Sequence, residues 1–152
     1  MALGIKRISF AAYPDGHPII GKTVLEEVLE NKLVLADKIG IQAEVVTQFC
    51  FEARPIISWL KKFRQRWPDT FVRVGLAGPT TPTALFKYAV RCGVKAPING
   101  LGAKFAMAKN IIQMVSPENT LEEINKLPFI SPHFFAFGNL IKTATWAIGL
   151  KL

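Results

Sequence analysis

Val45-Val46-Thr47-Gln48-Phe49-Cys50-Phe51-Glu52 is the stretch on which the reading of this chain turns. Apolar residues surround a single uncharged polar pair, Thr47-Gln48, and a charge appears only at the end. Such a run reads as a strand buried on both faces. It stops at Glu52-Ala53-Arg54-Pro55, where a helix can begin. A glutamine near the carboxyl end of a buried parallel strand stands where α/β proteins place ligand-reading groups. A hydrogen-bonded core amide is the alternative.

Upstream, residues 5–13 read as a strand, closed by Pro14-Asp15-Gly16-His17-Pro18. Two prolines and a glycine in five positions fix a loop. Thr23, with Glu26 three residues later, reads as a capping box. Val24, Leu25, Val28, Leu29, Leu33, Leu35, Ala36 and Ile39 then give a helix its apolar stripe, ended by Gly40. Downstream, Pro55 suits the first turn of a helix running to about Trp67. Phe71 to Ala77 reads as a strand, and Gly78-Pro79-Thr80-Thr81-Pro82 as a tight loop with Thr81 as cap and Pro82 at the first helical position. Leu85, Tyr88, Ala89 and Cys92 form the stripe of the helix that follows, and Gly93 stops it. Two shorter helices are expected at about 101–115 and 121–127, the second opened by a Thr120/Glu123 capping box. His133 to Phe137 reads as the last strand, and Leu140 to about Leu150 as a closing helix. Strand and helix alternate four times, with a helical insertion at about 98–127, so the class is α/β with parallel βα units. Such units build either a small open sheet or half of an eight-stranded barrel.

A chain of 152 residues suits one domain with a sizeable core. With half its residues hydrophobic and a fifth charged it is globular, not disordered. The longest candidate membrane run, Leu127 to Ile141, is cut by Pro128, Pro132 and His133, and the amino terminus lacks the apolar core of a signal peptide. Cys50 and Cys92 read as reduced core thiols, and a cytoplasmic location is expected. The net charge of +8 is densest at Lys61, Lys62, Arg64 and Arg66. These lie opposite Ile56, Trp59, Leu60, Phe63 and Trp67, so they read as a solvated helix face or as an attraction for an anionic cofactor. Without aromatic–basic interleaving or a nucleic-acid-binding signature, no nucleic-acid partner is expected.

Where strands run into helices, Tyr13, Asp15, His17, Gln48, Glu52, Thr80, Thr81 and Asn139 are brought to one end. His17 could hydrogen-bond a phosphate or ribose, or could simply hold its proline-rich turn. Metal-ligand spacing, a Walker loop, a dinucleotide glycine fingerprint and a nucleophile elbow are all missing. The residues describe a ligand-binding face without a visible catalytic engine.

Ala11-Ala12-Tyr13-Pro14-Asp15-Gly16-His17-Pro18, followed after a helix by Val46 to Glu52, resembles the methylenetetrahydrofolate reductase family. Val74-Gly75-Leu76-Ala77-Gly78-Pro79, Cys92-Gly93-Val94 and His133 to Phe137 are similar to that family's later elements in order and spacing. The resemblance covers the carboxyl-terminal half of a (β/α)₈ TIM-type barrel. It implies FAD as cofactor, NAD(P)H as co-substrate and a folate substrate, with hydride transfer through the flavin as the chemistry. Carried over by position, Tyr13 and His17 fall on flavin-contacting residues, Gln48 on the glutamine that hydrogen-bonds the pterin, and Tyr88 on a stacking aromatic. The family's basic residues near the flavin phosphates are here Leu35 and Ala36, a second substrate glutamine is Ala84, and an arginine after the last strand is Asn139. The half carrying the family's catalytic glutamate is absent from these 152 residues. The resemblance therefore implies a fragment of a longer protein or one part of a split enzyme, with a complementary half-barrel, or a second copy of this chain, as partner. It leaves a diverged, non-catalytic half-barrel that binds a pterin, a nucleotide or a partner protein as the alternative.

Overall fold

The structure is a computed structural model that describes residues 4–50, 53–93 and 117–150. Four strands, β1 (Arg7–Ala12), β2 (Gln42–Thr47), β3 (Phe71–Ala77) and β4 (Ile130–Phe135), form one parallel sheet in the order β1-β2-β3-β4. Five helices accompany them: α1 (Lys22–Lys38), α2 (Ala53–Arg66), α3 (Pro82–Cys92), α4 (Pro117–Ile124) and α5 (Leu140–Gly149). The expected α/β class and the alternation of parallel strands with helices are what the chain adopts. The helix expected at about 101–115 lies outside the described residues. Among the described residues no helix is long and apolar enough to cross a membrane.

Side-chain alternation along the strands sorts the molecule into two faces. Val72, Val74 and Leu76 of β3 join Val45 of β2 in a core with Leu29 and Leu33 of α1, Ile56, Leu60 and Phe63 of α2, and Leu121 and Ile124 of α4. Helix α3 belongs to the other face. Its Leu85 and Ala89 cluster with Phe49 and Ala77, against which Phe135 and Phe137 pack. Thus α1, α2 and α4 cover one face, while α3 sits over the carboxyl end of the opposite face, the rest of which is open among the described residues.

Several local expectations change. Helix α1 starts one residue before Thr23; Gly21 is its N-cap and no side chain caps it. Its apolar stripe is wider than the surface it covers. Leu29, Leu33 and Ala36 are buried, whereas Val24, Val28, Leu35 and Ile39 stay exposed. Thr120 lies inside α4 and is buried rather than capping it. Strand β2 ends at Thr47, so Gln48 is the first residue beyond it.

Strand β4 begins three residues earlier than expected and runs through Pro132, opposite Val74. A proline is tolerated there because β4 is an edge strand. The carbonyls of Phe129 and Phe135 accept from Val72 and Gly78 on the β3 side. By alternation the backbone of residue 132 faces outward, so the missing N–H breaks no ladder bond.

Arg64 is not part of a merely solvated face. Its guanidinium donates to the carbonyls of Trp67, Pro68 and Thr70 at 2.6–3.3 Å and to those of Pro128 and Phe129 at 3.2 Å. It ties the α2–β3 turn to the α4–β4 turn. Partial burial draws its pKa below the ordinary arginine value.

The open face carries a polar row. Ser9 Oγ donates to Glu44 Oε1 at 2.5 Å, Arg73 Nε donates to the same oxygen at 3.1 Å, and Arg7 donates to Gln42 Oε1. The Arg73 and Ser9 hydrogen bonds hold the Glu44 carboxyl below its ordinary value of 4.5. A carboxylate depressed in the folded chain contributes stability above that ordinary value, and loses it as the pH falls through the lower, folded-state pKa. Glu44→Gln is expected to cost about 1 kcal/mol near neutral pH. The deficit relative to the parent chain should shrink on acidification below 4.5. Urea titrations across that range check it; a deficit independent of pH would show that the charge of Glu44 contributes nothing.

Candidate functional site

The end of β2 is shaped by its neighbour. Pairing between β2 and β3 stops at Val46 and Arg73, and from there the Gly75 N–H donates to Thr47 Oγ1 at 2.9 Å. Thr47 is fully buried, so its hydroxyl takes the place of a ladder carbonyl. A Cβ on Gly75 would lie 2.3 Å from the Thr47 carbonyl oxygen and 2.9 Å from the Gln48 carbonyl carbon. The bare glycine therefore lets the chain leave β2 across the open face and carry Gln48 there.

Gln48 is 9% exposed. Its Nε2 donates to the Cys92 carbonyl at 2.7 Å. That bond fixes which end of the amide is which, because an oxygen in the same place would face another oxygen. Oε1 is then a buried acceptor with no partner among the described residues. Leaving such an acceptor unsatisfied costs about 1–3 kcal/mol, so it marks a place where a donor is wanted.

Helix α3 reaches this point because of its own end. Thr81 Oγ1 accepts from the Ala84 N–H and caps the start, as the sequence indicates. Gly93 closes the helix at φ +66°, with the Pro18 ring 2.2 Å from where its Cβ would be. The left-handed conformation and the contact both require glycine. They set the end of α3 against the loop after β1.

Between these elements lies a concavity of about 530 Å³. Tyr13 and His17 line it from the β1–α1 loop, Thr47, Gln48 and Phe49 from the end of β2, Arg91 and Cys92 from α3, and Phe135 and Phe137 from β4 and its exit. Phe137 packs edge-on against Phe49 at 4.9 Å. The walls are apolar and aromatic with a few polar atoms, the composition of a small-molecule site.

Three of the four residues singled out from sequence meet here: Tyr13, His17 and Gln48. Tyr88 is one layer back, stacked on Phe137 at 4.6 Å with an interplanar angle of 26°. The Tyr13 and His17 rings meet edge to face at 5.3 Å. His17 Nδ1 accepts the N–H groups of Ile19 and Ile20, both at 3.2 Å. The turn-holding role is therefore real, and in the neutral ring the proton sits on Nε2, available for donation. Asn139 caps α5 by accepting from Lys142 N at 2.8 Å. Thr80 is spent on the Phe137 carbonyl.

Cys50 is buried, and desolvation, helped by the charge of Asp15, pushes its thiol far above the ordinary value, so it supplies no thiolate. Among the described residues no group of three His, Cys, Asp or Glu side chains could hold a metal ion.

Arg91 and Phe49 escape a reading by motif. Arg91 sits between apolar residues near a helix end, where a basic residue is ordinary. Phe49 is indistinguishable in sequence from any other core aromatic. Comparison with models of known protein families finds none that matches this chain.

Proposed function

We propose that this chain is the carboxyl-terminal half of a methylenetetrahydrofolate reductase-like barrel, and that its concavity takes the pterin of a folate. The observation that carries the reading is Gln48, which lines an aromatic-walled concavity and whose buried Oε1 has no partner among the described residues. A pterin presents ring and exocyclic N–H donors along its edge, and its flat face stacks on aromatic side chains. The residues also suit a flavin: Tyr13 and the Nε2–H of His17 would hold it at the β1–α1 side of the site. FAD, when bound, supplies the hydride transfer between NAD(P)H and methylenetetrahydrofolate, while the chain supplies placement and a dry wall.

Completion by a complementary half-barrel is supported by what the sheet leaves open. Among the described residues β1 and β4 each have one unpaired edge. At the β1 edge α1 exposes Val24, Val28 and Leu35, and at the β4 edge α5 exposes Leu140, Ile141 and Ile148. Apolar helix stripes beside two free parallel edges suit further βα units on both sides.

A second reading, a diverged half-barrel that binds a pterin or nucleotide without redox chemistry, is favoured by the wall of the concavity. Among the described residues it carries no carboxylate. Co-expression with the product of the adjacent reading frame separates the two. Yellow protein that oxidises NAD(P)H with methylenetetrahydrofolate is expected from the first, and colourless protein that still binds folate from the second.

In either case Gln48→Ala should weaken folic acid binding about tenfold to hundredfold. Fluorescence titration measures this, with the thermal midpoint followed in parallel. Unchanged affinity in a folded variant would remove Gln48 from the site.

A further inference from the structure

Among the described residues that line the concavity, one carries a guanidinium. Arg91 lines it from α3, is exposed, and makes no side-chain hydrogen bond or ion pair with any described residue. Other arginines are engaged: Arg7 with Gln42, Arg64 with five carbonyls, Arg66 with Glu30 and Arg73 with Glu44. Arg91 also has a fixed neighbour. The Cys92 carbonyl, one residue along, is the group that holds Gln48 Nε2 at 2.7 Å. Gln48, whose Oε1 has no partner among the described residues, and Arg91 thus line one concavity, with Phe135 and Phe137 also lining it.

A guanidinium and an N–H-seeking acceptor in one concavity select for a particular ligand chemistry. Gln48 Oε1 takes a ring N–H. Arg91 takes an acidic substituent, a carboxylate or phosphate, through its planar fork of donors. We propose that Arg91 is a specificity-determining residue of this site, and that the ligand is a flat heteroaromatic bearing an anionic group. The proposal deepens the folate reading and rests on the same concavity, but the role of Arg91 does not depend on the ring being a pterin.

Two pairs of probes test it on the purified chain by fluorescence titration: pterin-6-carboxylate against 6-hydroxymethylpterin, and FMN against riboflavin. In each pair the ring is kept and the anionic group removed. The charged member of at least one pair is expected to bind about tenfold or more tighter than its neutral partner. Arg91→Met should abolish that preference while leaving affinity for the neutral partner unchanged, and Arg91→Lys should restore part of it. Lys87→Met removes one charge from the same helix at a position outside the concavity, and should leave the preference intact.

Preference in the flavin pair with silence in the pterin pair would overturn the folate reading and leave Arg91 in its role. A preference that survives Arg91→Met, an equal loss in Lys87→Met, or no binding by any probe would overturn the proposal.

Discussion

Gly75→Ala is expected to destabilise the chain by about 3 kcal/mol or more and to disturb the candidate site with it. The added methyl would meet the Thr47 carbonyl oxygen at 2.3 Å and the Gln48 carbonyl carbon at 2.9 Å, both backbone atoms, and the Phe135 ring at 2.7 Å. A flexible side chain could swing aside, but a strand exit cannot move without losing the Gly75 N–H to Thr47 Oγ1 bond. Relief by separating β2 from β3 would also pull Gln48 from the Cys92 carbonyl. Chemical denaturation measures the stability. The same substitution should weaken ligand binding in whatever fraction remains folded. A variant as stable as the parent would mean that β2 does not cross β3 this closely.

Arg64→Met should cost about 2–3 kcal/mol, although it removes a charge from a strongly basic chain, where the loss of a repulsive charge alone would help. Methionine keeps much of the aliphatic stem and its packing, so the loss isolates the guanidinium. Five carbonyls from two turns converge on that group. Nothing else among the described hydrogen bonds joins the α2–β3 turn to the α4–β4 turn; the bond from Val72 N–H to the Phe129 carbonyl starts from β3. Arg64→Lys is expected to recover only part of the loss, because an ammonium has three donors and no planar fork. Lys61→Met, one turn away on an exposed position, serves as the comparison and should stay within about 0.5 kcal/mol of the parent. Equal stabilities for the Arg64 and Lys61 variants would return Arg64 to the solvated face.

Much of the fold is legible in single residues. Phe71–Ala77 is a strand with the bounds that its composition indicates, Thr81 and Gly93 begin and end α3 as their chemistry requires, and Gly40 adopts the positive φ that closes α1. These are local effects: a cap, a left-handed glycine and an apolar β-branched run act within a few residues of themselves. The capping boxes at Thr23 and Thr120 fail for the same reason in reverse. Each pattern is a short-range preference, and each helix starts upstream of it.

Gln48 could be placed at the carboxyl end of a buried strand from its neighbours alone, but its two readings, core amide and ligand reader, separate only in three dimensions. In the structure the amide is half satisfied. One end bonds to Cys92, 44 residues away, and the other has no partner among the described residues. Which face α3 covers was equally out of reach. Its stripe is as apolar as that of any outer helix, and the choice follows from packing against Phe49, Ala77 and Phe137 and from the contact of Gly93 with Pro18.

By itself the sequence determined the class, the parallel alternation of strand and helix, the chain breaks and the end of the sheet at which polar side chains gather. Those depend on periodicity and on backbone chemistry that each residue carries with it. The tertiary structure alone decided the strand order, the face that α3 covers, the role of Arg64, and the meeting of Gln48 with Cys92. All of these are contacts between residues far apart in the chain, whose formation depends on packing that no local preference encodes.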